Sequence, residues 1–163
     1  MERKQKGFSL IELLIVVAVI LVIAAIAIPN LVRSRMAANE ASAVASLRSI
    51  NTSQVVYQNT YGAGFATKLL DLSDGGTPGN CAPSVTPTAT AACLIDATLA
   101  GGTKSGYTFL YTPVSAGAVV ASYSVNADPT TSGSSGQRHF FTDQTNLIRV
   151  NATAAASNTD PPI

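Results

Sequence analysis

The chain has 163 residues, enough for one domain with a modest core and too few for two. It is 47 % hydrophobic but only 12 % charged, about half the usual charged fraction. Such a surface repels its own copies weakly. Residues 1–7 hold Arg3, Lys4 and Lys6 against Glu2; beyond them seven Lys/Arg face eight Asp/Glu, a near-neutral balance that does not suggest a basic nucleic-acid-binding face.

From Phe8 to Ile28 the chain reads FSLIELLIVVAVILVIAAIAI, interrupted by one charge, Glu12. As a helix rising about 1.5 Å per residue, this run spans roughly 30 Å, the thickness of a bilayer's hydrocarbon core. The three cations ahead of it predict a cytoplasmic N-terminus, with everything after Ile28 on the far side. A secretory signal peptide shares the basic start, the apolar run and a small-residue site such as Ala25-Ile26-Ala27. It does not share the length of the run or a glycine at its start. Nor does it gain from an acid inside, which costs about 2.5–3.5 kcal/mol on insertion scales.

Gly7-Phe8-Ser9-Leu10-Ile11-Glu12, behind a short basic leader, resembles the type III signal of type IV pilins and pseudopilins. The resemblance implies that a membrane-embedded prepilin peptidase cuts between Gly7 and Phe8 and N-methylates Phe8. It also places Pro29 where pilins carry a helix-kinking proline. The chemistry of each residue suits that role. Gly7 lets an extended backbone enter a peptidase cleft without steric obstruction. The new amine at Phe8 can pair with Glu12 of a neighbouring subunit, neutralising both charges in apolar surroundings. Such a pair penalises wrong registers more than it stabilises the right one.

Beyond Pro29, Ala43, Leu47, Ile50, Gln54, Tyr57 and Tyr61 fall at helical spacing, with Arg48 and Asn51 off that face. One long helix over roughly 8–60 is expected, apolar all round to residue 28 and amphipathic over 29–60. Pro29 removes one backbone hydrogen bond and should kink or loosen it.

From 61 to 106 the composition turns to Gly, Pro, Thr and Ser with little periodicity, an irregular connection of the kind that is functional or poorly ordered. Cys81 and Cys93 stand within it. They are too few for a metal site with the lone His139, and their spacing is not the C-x-x-C of a redox pair. A disulfide in an oxidising compartment follows, adding about 3 kcal/mol by loop-closure entropy. Pilins place a variable connection here, although their better-known disulfide lies nearer the C-terminus.

Alternation takes over at 107. Strands are expected at Tyr107 to Thr112, ending at Pro113, at Val119 to Asn126, and at Arg138 to Asp143 and Leu147 to Val150, the last two as a hairpin. The expected fold is α+β, a long N-terminal helix packed on a four-stranded antiparallel sheet over 107–151, with a frayed tail over 152–163. The strand motifs resemble the globular end of a bacterial pilin.

No nucleophile signature, phosphate loop or metal-spaced cluster appears, so no catalytic residue, cofactor or metal is assigned. His139 is expected as an ordinary strand histidine. Asp128 and Asp143 are turn formers first and calcium ligands second. Most of the ten Tyr and Phe residues are expected in the core. By resemblance, the function is that of a pilus subunit held in the inner membrane and then polymerised with itself into an extracellular filament. The implied partners are the prepilin peptidase, an assembly ATPase and an inner-membrane platform protein, with an external ligand that the sequence does not name. The alternatives are a type II secretion pseudopilin and a minor pilin or tip adhesin.

Overall fold

A computed structural model describes residues 8–163. The chain divides into two units, the residues up to Arg35 and Met36–Ile163. One helix, α1 (Leu10–Tyr61), supplies most of the described part of the first unit and the first element of the second. Up to residue 35 every described side chain but one is exposed, the exception being half-buried Ala24.

In the second unit α1 buries Ala43, Leu47, Ile50, Gln54 and Tyr57, steps of three and four that keep one face inward. Tyr61, at the end of the same stripe, is half-buried. The helix stops where Gly62 takes a φ of 65° and donates its N–H to Gln58 O at 3.0 Å, a conformation that glycine adopts without strain. Asn51, expected off the face, is buried instead. Its Nδ2 donates to Thr142 Oγ1 at 2.8 Å, and its Oδ1 accepts from the Tyr123 hydroxyl at 3.1 Å. A polar residue one step off the stripe is thus drawn in by partners on the sheet.

The sheet has five strands in the order β1-β2-β3-β4-β5, all neighbours antiparallel. They are β1 (Thr103–Lys104), β2 (Tyr107–Ala116), β3 (Val119–Pro129), β4 (His139–Asp143) and β5 (Arg149–Asn151). The fold is the expected α+β arrangement, with one strand more than the four foreseen. The addition, β1, is a two-residue edge too short to show alternation.

β2 also runs past Pro113, which pairs with Tyr123 in register. Phe109 donates its N–H away from β3, to Gly102 O at 2.8 Å. Pro113 stands in the same phase, so the N–H it lacks takes nothing from the β2–β3 ladder. The register slips only at Val114/Ser115, just before the turn at Gly117.

Tyr107, Phe109 and Tyr123 from the sheet, Leu47 and Ile50 from α1, and Leu72 and Leu99 from the connection form one buried cluster. Each such side chain contributes about 1.5–3 kcal/mol by leaving water. Leu47, with no exposed surface, sits between layers. Leu47→Ala is expected to lower stability by about 2–5 kcal/mol, measured by thermal unfolding of the detergent-solubilised chain.

The connection over 61–106 is more ordered than its composition foretells. Phe65 N–H donates to Val120 O at 3.0 Å, a 3-10 turn forms at Leu69–Leu72, and a four-residue helix, α2 (Ala97–Ala100), is capped by the Asp96 side chain. Gln54 reaches across to it, accepting from Ala66 N–H and donating to the Tyr111 hydroxyl, both at 2.9 Å.

The tail expected to fray over 152–163 instead folds back along β5. Val150 N–H donates to Pro161 O at 3.0 Å and Ile163 N–H to Ile148 O at 3.1 Å. Asp160 accepts from Ser157 N–H and from Asn151 Nδ2, while Asn126 Nδ2 holds Ala156 O at 2.7 Å and Ala156 is buried. The free edge of β5 offers backbone partners, and the short polar side chains fasten the return.

Candidate functional site: an exposed apolar helix with one acid

The site is the start of α1. Phe8 is 89 % exposed, and the helix begins two residues later at Leu10. Ser9 N–H donates to Glu12 Oε2 at 2.9 Å, so the carboxylate satisfies a donor that a helix start leaves orphaned. Its negative charge also favours the helix N-terminus. Ile, Val and Leu then fill successive positions on every side, so no face of this stretch is polar.

None of the most apolar stretch of this helix is buried within the chain, and its mean hydropathy there is 3.3. Exposed apolar surface on that scale requires cover, by lipid or by protein. Length and composition both suit a membrane span. In lipid a helix is the one conformation of a single segment that satisfies every backbone group. That requirement carries a sequence rich in β-branched residues, which are otherwise indifferent helix formers.

Gly7 lies outside the described residues. Phe8, Glu12 and Pro29 lie along a single run of chain, with Pro29 inside α1 and the helix uninterrupted around it. Cys81 and Cys93, which sequence spacing paired, are bonded, with Cα atoms 5.5 Å apart. They lie in the other unit.

His139 is partly buried and its Nδ1 stands 2.6 Å from Asp128 Oδ1. That pairing occupies one of the two aspartates considered for calcium. The other, Asp143, accepts from Thr145 N–H at 2.9 Å and forms its own turn. A groove of about 470 Å³ beside α1 is lined by Arg48, Asn51, Thr52, Val55, Val56 and Asn146, with Arg48 its one ionisable group.

Sequence reasoning passed over Glu40. It is 8 % exposed and its Oε1 accepts from the N–H groups of Gln137 and Arg138 at 3.0 and 3.1 Å. Its Oε2 accepts from Arg138 Nε at 2.7 Å. A signal was present, because residue 40 precedes Ala43 and Leu47 at the spacing of the buried stripe. An acid there must meet a partner on the sheet side.

Comparison with known proteins agrees with the geometry of the first helix. Residues 3–28 match the family model for the prokaryotic N-terminal methylation motif. The type IV wide pilus major component PilA4 of Thermus thermophilus is 42 % identical over 105 residues, covering 62 % of this chain and 79 % of that protein. The type IV major pilin protein PilA of Myxococcus xanthus is 43 % identical over 51 residues, 31 % of this chain and 23 % of its own. The type II secretion system core protein G of Dickeya chrysanthemi is 31 % identical over 58 residues, 36 % and 38 % of the two chains. No solved structure matches. A capped apolar helix bearing one acid, a methylation motif laid over it, and likeness along most of a pilus component have one common explanation: the chain belongs to the type IV pilin family.

Proposed function

We propose that the chain is the structural subunit of a type IV pilus serving adhesion, motility or DNA uptake. Its precursor rests in the inner membrane with the N-terminus in the cytoplasm and residues 8–28 across the bilayer. A prepilin peptidase cuts between Gly7 and Phe8 and methylates Phe8. An assembly ATPase and a platform protein then lift subunits one at a time into a filament outside the cell.

The observation that carries this reading is the exposed apolar helix with its single acid. Such a helix moves from lipid into a bundle of its own copies with little change in the burial of apolar surface, so extraction is not opposed by the hydrophobic effect. Cleavage leaves Arg3, Lys4 and Lys6 behind, so no leader cation has to cross the bilayer. The same cut creates the amine that seeks Glu12 of a neighbour. In these surroundings either charge alone is costly, so a subunit seats only where both are paired. Pro29 lets the segment behind the span yield during packing. The chain's part is structural throughout.

Likeness to a type II secretion core protein supports a second reading, a pseudopilin of a short periplasmic piston. Deletion of the gene in its host separates them. Loss of filaments from sheared cell surfaces with exoprotein secretion intact is the expected result. Loss of secretion, with no sheared filaments in the parent strain, overturns the pilus reading in favour of the pseudopilin. Filaments that persist while binding to surfaces is lost would mark a minor pilin or tip adhesin.

A further inference from the structure

The first charges beyond the apolar run are Arg33 and Arg35, both exposed on α1. Neither makes an ion pair among the described residues. No residue three or four places from either along the helix is acidic, so α1 offers them no counter-ion of its own. Glu40, the next acid in the chain, is held by Arg138 Nε at 2.7 Å and by two backbone N–H groups. Two guanidinium groups within one helical turn, with no acid beside them, call for an anion from outside the chain.

Their position says which anion. With residues 8–28 across the hydrocarbon core, Arg33 stands five residues past Ile28, about 7.5 Å farther along the helix. The headgroup layer occupies about 5–7.5 Å on each side of the core. Helical side chains lean toward the N-terminus, which for Arg33 and Arg35 is back toward the bilayer. Leu31 and Val32, 55 % and 39 % exposed, carry the apolar surface up to the arginines. The stem of an arginine lies along such a surface and leaves its charge among the phosphates. Residues two apart stand on nearly opposite sides of a helix, so the two groups reach different lipids.

We propose that Arg33 and Arg35 each bind the phosphate of an anionic phospholipid in the outer leaflet of the membrane where the subunit waits. This rests on the membrane insertion proposed above. A guanidinium meets a phosphodiester through two parallel N–H···O bonds, a match that an ammonium lacks. Cleavage at Gly7 removes Arg3, Lys4 and Lys6, so these two arginines are then the side-chain cations nearest the span. Lipid thereafter grips the mature helix chiefly from its outer end. Each guanidinium at an anionic surface adds about fivefold to the preference for it. That is enough to set the depth of the helix and weak enough to release the subunit when it is lifted out.

The test is native mass spectrometry of the full chain ejected from nanodiscs of phosphatidylglycerol and phosphatidylcholine in equal parts. The parent is expected to leave with phosphatidylglycerol in preference. Arg33→Gln and Arg35→Gln should each lose one retained phosphatidylglycerol and the double variant two, while the leader cations, present in every variant, leave that difference unchanged. Arg48→Gln removes an exposed arginine farther along α1 and should lose none. Equal lipid counts in parent and double variant overturn the inference, as does phosphatidylcholine retained equally well or an equal loss from Arg48→Gln. In each of these outcomes the chain sits in the nanodisc, so the membrane reading stands. A parent chain that stays outside the nanodiscs overturns that reading, and this inference with it.

Discussion

Glu12→Ala is expected to lower recovery of sheared surface filaments by at least about tenfold, because an amine buried without its counter-ion costs several kcal/mol and tenfold corresponds to only about 1.4 kcal/mol. Two effects meet in this side chain, and a second variant separates them. In the monomer Glu12 accepts from Ser9 N–H and so starts the helix. Glu12→Gln keeps an oxygen for that bond and discards the charge. If pairing with a neighbour's Phe8 amine is the decisive role, the glutamine variant fails nearly as badly as the alanine. Filaments at the parental level from Glu12→Gln would reduce Glu12 to a helix cap. Immunoblots of sheared and whole-cell fractions give the ratio, and a cleavage assay of the precursor shows whether processing was disturbed first.

Glu40→Ala should destabilise the globular unit by about 3 kcal/mol, since it leaves two backbone donors and a guanidinium without their acceptor. Such a loss lowers the midpoint of thermal unfolding by roughly 10 °C for a unit of this size. Burial on its own would raise the Glu40 pKa. The Gln137 N–H, the Arg138 side chain and the Arg138 N–H outweigh it and hold the carboxyl below its ordinary value of 4.5. A carboxyl depressed in the folded state stabilises the fold above its unfolded pKa, and that contribution is lost as pH falls through the folded value. Wild type should therefore lose stability on acidification below about pH 4.5 more steeply than Glu40→Gln does. Parallel stability curves for the two proteins across that range would show that Glu40 carries no such linkage.

Glu12 and Glu40 show what the sequence could and could not convey. Glu12 interrupts an otherwise unbroken apolar run, so a single local anomaly exposed it, and the motif around it was contiguous. Glu40 sits in a mixed stretch among Ala, Asn and Ser, where one acid attracts no notice. Its significance depends on Arg138, 98 positions away, and only the packed sheet brings them together. Asn51 was misjudged for the same reason, because its helical phase is marginal and Thr142 and Tyr123 decide its burial.

The long helix, the core stripe from Ala43 to Tyr57 and four of the strands were legible because periodicity is a local property. β1 is too short to have a period. The passage of β2 through Pro113 depends on which way one N–H would have pointed. The return of 152–163 along β5 depends on Asp160 meeting Ser157 and Asn151, bonds that no compositional measure of a polar tail foretells. Local pattern thus revealed the long apolar helix, while long-range hydrogen bonds shaped the globular unit.

Cleavage at Gly7 is expected to release this helix into a filament. Its most direct test is intact mass and N-terminal sequencing of surface-sheared protein from the native host, beside a Gly7→Val strain. N-methyl-Phe8 as the first residue, abundant in the parent and absent from the surface of the variant, is the predicted result. A terminus near Asn30, or full-length precursor remaining in the membrane of the parent, would contradict it and make residues 8–28 a signal peptide or a plain anchor.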